Sequence, residues 1–300
     1  MQKILTAVAL VLVRLLSFLP IALTMVLGSV LGSLGYYVAR NRRNVGLKNL
    51  TLCFPEMNDT EKQRIIKEHF KYILTSGLQY GLIFYASQER IQKIVKLKNL
   101  DKLLKYYKQQ PIILLCPHFV GLDFGAIRLT HEVVGVGLYS VQKNSIITEK
   151  LKDARLRFIK DKGGKMFARQ EGLRPVIKEL RKTNHIFYYL PDQDLGERDS
   201  IYIPFFGQQT CATVNVLPKL VKMANAVVIP TAVYWNGRHY EMEFYDAWDN
   251  YPTDNLEADV IRMNKFVEQA VMKNISQYFW LHKRFKTQPG VERGSIYKDC

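Results

Sequence analysis

His118 and Asp123 stand five positions apart, directly after the short apolar run PIILLC at 111–116. An imidazole takes up protons near neutral pH. A carboxylate bonded to one ring nitrogen fixes the tautomer and leaves the other nitrogen free to act as a base. That is two-thirds of a catalytic triad without an enzyme nucleophile. The chain holds no G-x-S-x-G motif, so the nucleophile would be a hydroxyl of the substrate. The spacing alone also suits a loop histidine bonded to its neighbours. What sharpens it is the place at the end of a buried strand, where open α/β sheets bind their ligands.

Asp192, Gln193 and Asp194 follow a second apolar run, HIFYYLP at 185–191. Two carboxylates and an amide at a strand end could bind hydroxyls or orient a sugar; the same residues would also make an ordinary polar turn. Arg169 closes the string GGKMFAR. A guanidinium there suits phosphate or carboxylate. In YFWLHKRFK at 278–286 aromatics alternate with cations, which fits a membrane headgroup region or stacked RNA bases. His69, His131, His185, His239 and His282 do not pair with one another at metal-ligand spacing, so no metal site is expected. Cys53, Cys116, Cys211 and Cys300 are scattered without a C-x-x-C pair, which argues for a reducing compartment.

The elements that must hold these groups alternate. Strands are expected at 111–116, 135–141, 185–191, 227–235 and 239–246. Helices are expected at 124–130, 147–162, 172–182, 212–226 and 256–277. Upstream, Ile65, Ile66, Phe70, Ile73, Leu74, Leu78 and Leu82 recur at helical intervals, and Thr60 and Gln63 have capping-box spacing. Residues 99–108 read as a short amphipathic helix, on the surface or facing a membrane. The pattern predicts an α/β fold, a mostly parallel sheet flanked by helices.

Residues 15–39 carry no charge, and Arg40, Arg42, Arg43 and Lys48 follow. As one helix this stretch would be ~37 Å long, enough for a hydrocarbon core of ~30 Å. It predicts an N-terminal membrane-anchoring segment, 1–39, spanning or bent at Pro20, before a body at 40–300 on the cytoplasmic side. Lys plus Arg total 43 against 27 for Asp plus Glu, a net charge of +16. Such a surplus describes partners rather than fold: nucleic acid, an anionic membrane, an acidic carrier or a phosphorylated substrate. The cations are spread over helices rather than gathered in one motif, which disfavours nucleic acid.

With these residues in view, the chain resembles the lipid A late acyltransferases, the lauroyl and myristoyl type, within the H-x4-D glycerolipid acyltransferase superfamily. The likeness rests on H-x4-D after a strand, on NRRNVGLKNLTLCFPEM (41–57), on PDQDLGERDSIYIPFFG and on YFWLHKRFKTQPG. LPDQD stands where the wider superfamily has a Pro-Glu-Gly-Thr-Arg-like turn, and many lauroyl-type members carry Glu at the place of Asp123. The resemblance implies transfer of a fatty acyl group from acyl carrier protein. The acceptor would be the hydroxyl of a 3-hydroxyacyl chain on a phosphorylated, Kdo-bearing lipid A precursor at the inner membrane of a Gram-negative bacterium. His118 would be the base, Asp123 its orienter, and Arg169 a phosphate ligand, with no cofactor. The basic helix at 147–162 would steer the acidic carrier. The rivals are another membrane acyltransferase of the superfamily and a non-enzymatic basic membrane protein.

Overall fold

The computed structural model describes residues 2–207 and 209–300. The apolar N-terminus is not one helix. Pro20 has no N–H to donate and cannot continue a helix, so α1 (Gln2–Leu16) ends in a turn before α2 (Ile21–Val38) begins. Arg90 holds that turn by donating to the Leu19 carbonyl at 3.0 Å. With 18 residues, α2 is ~27 Å long, short of the 37 Å expected from an unbroken helix.

Next come α3 (Arg40–Cys53) and α4 (Asp59–Gln79). The cap of α4 is Asn58, whose side chain accepts from the Glu61 N–H at 2.8 Å; the helix therefore starts one residue before Thr60. On α2, Thr24, Gly28, Gly32 and Tyr36 make one buried stripe, which packs along α4. The approach is so close that a Cβ at Gly28 would lie 2.5 Å from the Thr75 Cα, and one at Gly32 2.4 Å from the Lys71 Cα. Gln79 donates to Thr24 Oγ1 at 2.9 Å and accepts from Tyr240 OH at 2.8 Å, so a buried polar relay ties α2 to the sheet. The opposite face of α2 exposes Leu23, Val26, Leu27, Val30, Leu31 and Leu34. One helix thus has a face fitted to the body and an apolar face left exposed. A protein beginning at Arg40 is expected still to fold around its sheet, but to melt several degrees lower (roughly 1–3 kcal/mol of lost packing in a domain of this size), as circular dichroism of both forms would read.

Three short helices, α5 (Gly81–Tyr85), α6 (Gln88–Ile94) and α7 (Asp101–Leu104), surround the first strand, β1 (Val95–Lys98). The rest alternates: β2 (Ile112–Leu115), α8 (Leu122–Leu129), β3 (Gly135–Tyr139), α9 (Ser145–Leu156), β4 (Lys165–Ala168), α10 (Arg174–Thr183) and β5 (Ile186–Tyr189). A hairpin of β6 (Ser200–Phe205) and β7 (Gln209–Val214) follows, then α11 (Val216–Ala224), β8 (Val227–Trp235), β9 (Tyr240–Phe244) and α12 (Leu256–Lys273). The main sheet runs β1-β9-β8-β2-β5-β3-β4. Every neighbouring pair is parallel except β8 with β9. At its centre β2 is buried along its whole length, as a strand covered on both faces must be.

Two expected helices differ. The stretch at 212–226 opens as strand, because the β-branched, alternating QTCATV pairs antiparallel with β6, and the helix waits until Val216. The turn between the strands holds Phe206 and Gly207 at positive φ. The basic helix at 147–162 ends at Leu156. A following 3-10 turn ends at Gly163, in the left-handed conformation.

Candidate active site

The parallel register of β2 and β5 builds the site. Leu115 lies opposite Tyr189. Each strand then runs through one more residue and a proline, Cys116-Pro117 and Leu190-Pro191, into His118 and Asp192. Proline cannot donate to the ladder, so both chains leave the sheet at the same level. The side chains meet there: His118 Nδ1 lies 2.6 Å from Asp192 Oδ1, and the His118 N–H donates to Oδ2 at 2.9 Å. Asp192 is buried, whereas His118 borders a cavity of about 340 Å³. An anionic carboxylate on Nδ1 fixes the proton there and leaves Nε2 as the nitrogen for substrate.

The carboxylate bonded to the His118 ring is therefore Asp192, not Asp123 as the spacing suggested. Burial favours the neutral imidazole and is the largest single influence, but the charge and hydrogen bond of Asp192, with a smaller push from Asp123, together outweigh it and raise the His118 pKa. On Asp192, burial favours the protonated acid. Its bonds to His118 prevail, and its pKa is lowered. Asp123, in the first turn of α8, accepts from the Tyr80 hydroxyl at 2.7 Å and from Arg155 Nη2 at 3.0 Å. Burial and that carboxylate push the Tyr80 phenol up. Arg155, read from the sequence as a surface charge steering a carrier, is instead committed to Asp123 beside the site.

Asp194 takes no part in the cavity. It is buried and accepts from the Thr287 N–H and Oγ1 at 2.8 and 2.9 Å and from the Gly196 N–H at 2.9 Å. It fastens the turn after β5 to the C-terminal segment. Gln193, between the two aspartates, lines the cavity, as does Arg169 at the end of β4. Arg169 is exposed and makes no ion pair among the described residues, so its charge is available to a ligand. Of the four residues expected to touch substrate, Arg169 and Gln193 face the cavity. Asp192 acts through His118, and Asp194 is structural.

The aromatic and cationic tail lies behind the histidine. Phe119 and Tyr278 form a β-bridge, the Phe279 N–H donates to the His118 carbonyl at 2.9 Å, and the Val120 N–H donates to the Gln277 carbonyl at 3.1 Å. The Leu122 N–H is taken by the Phe119 carbonyl. These two N–H groups, at the start of α8, are thus engaged. Arg284 is buried and donates to the Ala212 carbonyl and Thr213 Oγ1, both at 2.8 Å. The tail fixes the loop rather than meeting headgroups.

A second cavity, about 120 Å³, lies between α8 and the β3–β4 edge. It shares Leu138, Tyr188 and Leu190 with the His118 cavity. Its lining is almost wholly apolar, with Asp123 and Arg155 the charged exceptions. The site thus pairs an imidazole and a free guanidinium with an adjoining apolar slot.

A sequence profile of the bacterial lipid A biosynthesis acyltransferases matches residues 1–287. This chain belongs to that family. A lipid A biosynthesis acyltransferase of Haemophilus influenzae is 33% identical over 263 residues, covering 87% of this chain and 82% of the relative. The lipid A biosynthesis myristoyltransferase of Escherichia coli is 30% identical, with 87% and 81% covered. The lauroyltransferase of the same organism is 29% identical, with 90% and 88% covered. Among solved structures, the 1-acyl-sn-glycerophosphate acyltransferase PlsC of Thermotoga maritima aligns with a TM-score of 0.39 and 13% identity, over 82% of this chain and 97% of that one. This acyltransferase of lipid A biosynthesis carries the imidazole, the guanidinium and the apolar slot described above.

Proposed function

We propose that this acyltransferase moves a fatty acyl group from acyl carrier protein to the hydroxyl of a 3-hydroxyacyl chain on a phosphorylated, Kdo-bearing lipid A precursor, with His118 as general base. The observation that carries the reading is the His118–Asp192 pair at two adjacent strand ends, facing a cavity that also holds Arg169. His118 Nε2 takes the acceptor's proton as its oxygen attacks the thioester carbonyl. The tetrahedral intermediate collapses, the C–S bond breaks, and the imidazolium returns the proton to the leaving thiolate. Asp192 stabilises the imidazolium throughout. Arg169 holds an acceptor phosphate. Mass spectrometry of the lipid made by purified protein from a mixed acyl-carrier pool and the Kdo-bearing precursor tests this reading. A product with no added acyl chain would overturn it.

The apolar cavity receives the donor's acyl chain. Gly137 and Met166 both border it, and a Cβ at Gly137 would lie 2.8 Å from the Met166 sulfur. Gly137→Val is expected to push the thioether aside, narrow the slot and shift the product toward shorter chains. Met166→Ala should shift it toward longer ones. The acyl distribution from a mixed donor pool reads both, and an unchanged distribution in both variants would place the chain elsewhere.

Residues 1–39 anchor the enzyme, with the exposed face of α2 in lipid and the body on the cytoplasmic side, next to Arg40, Arg42 and Arg43. α9 belongs to this side as well. Asn144, at its N-cap, donates to Thr6 Oγ1 of α1 at 2.7 Å, and Val141, Ile146 and Ile147 are exposed beside it.

A further inference from the structure

With α9 committed to the anchor and to Asp123, the cations that meet a soluble donor must lie elsewhere. α10 and α11 pack side by side and border an open groove of about 390 Å³ lined by Arg174, Ile177, Lys178, Arg181 and Met223. Arg174, Lys178 and Arg181 project from one face of α10, four and three positions apart, as neighbours on a helix must. All three are exposed, and none makes an ion pair among the described residues. Met223 is 50% exposed. A flexible apolar side chain among free cations fits an amphipathic acidic partner better than it fits solvent.

The groove also has a direction. Gly172 and Leu173, which lead into α10, and Val216, which opens α11, line the His118 cavity. Both helices therefore start at the cavity wall and run away from it. A partner lying along them would hold a flexible thioester arm at the mouth of the cavity.

We infer that the α10–α11 groove is the docking surface for the donor's carrier protein, taking an acidic helix whose carboxylates meet Arg174, Lys178 and Arg181 and whose apolar residue meets Met223. The inference rests on the carrier-protein reading above. Cations that act at docking change capture of the donor and leave the transition state alone.

The test uses the full chain in detergent, carrying Arg174→Glu, Lys178→Glu and Arg181→Glu. Two donors bear the same acyl group, the one the parent protein uses fastest: acyl carrier protein thioester and acyl-pantetheine. The expected result is a KM for the carrier-bound donor raised tenfold or more, with kcat and the acyl-pantetheine kinetics unchanged. Lys178→Gln with Arg181→Gln, a milder change, should raise that KM by an intermediate factor. Reversal of Lys143, just before α9, and of Lys150, within it, should leave it unchanged. An unchanged carrier KM in the triple variant would overturn the groove. So would equal losses with both donors, or a loss of vesicle binding with carrier kinetics intact. A parent protein that uses acyl-pantetheine as well as the carrier-bound donor would overturn the carrier reading itself, and the groove with it.

Discussion

His118→Ala is expected to leave a folded protein whose acyl transfer is about 10²–10⁴ times slower, the usual loss when a general base is removed. The side chain lies on a loop held by backbone bonds: its N–H to Asp192, its carbonyl from Phe279. Those bonds survive the substitution, so the fold should as well. Asp192 is then left buried without its imidazole partner. Some loss of melting temperature is expected, and activity must be measured below the new transition. Steady-state transfer to the lipid acceptor, compared with circular dichroism of the same preparation, separates the two effects. A variant keeping more than about a tenth of parent turnover would remove His118 from the base role.

The second large effect is expected at Asp192, and it has a signature in pH. Asp192→Asn should lower turnover by up to about 10⁴, because an amide can favour the wrong tautomer of the ring. The base must be neutral, so activity rises with pH through the His118 pKa. In the parent protein that limb lies above the ordinary imidazole value of about 6.5, since the charge and hydrogen bond of Asp192, with a smaller push from Asp123, together outweigh burial. Without the carboxylate, burial is left as the main influence and favours the neutral ring. The residual activity of Asp192→Asn should therefore climb at lower pH than that of the parent. Asp123→Asn should move the limb in the same direction but less, because its carboxylate is bonded to Tyr80 and Arg155 rather than to the ring. Equal displacements in the two variants, or a larger one for Asp123, would return the orienting role to Asp123.

Sequence reading located the histidine and not its partner, for a physical reason. Spacing along the chain reports neighbours within an element, and His118 to Asp123 spans a strand end and the start of a helix. The partner lies 74 residues away. A signal was present in the matched strings Cys116-Pro117-His118 and Leu190-Pro191-Asp192, each three residues past an apolar strand. Pairing them requires β2 and β5 to be adjacent and in register, which periodicity does not state. The buried strands and the long helix α4 were legible because burial on both faces or on one stripe leaves a clear apolar pattern. Edge strands β1 and β4 were not, since VKLK and KMFA carry lysines that an edge tolerates. Of the two forms expected for the apolar N-terminus, one span or a bend at Pro20, the chain takes the second.

The bonds between the His118 loop and the segment around Tyr278 and Thr287 also set an order in time. On the ribosome, α1 and α2 are made before any strand of the sheet. The strands of the centre follow. The backbone groups of Gln277 and Phe279, and the Thr287 contacts that fasten Asp194, are supplied only after the last strand of the sheet, β9, has been made. A nascent chain can thus hold every strand of the sheet while the His118 loop still lacks the backbone bonds that fix it. Chains cut short before residue 277 would keep the strands and lose those bonds.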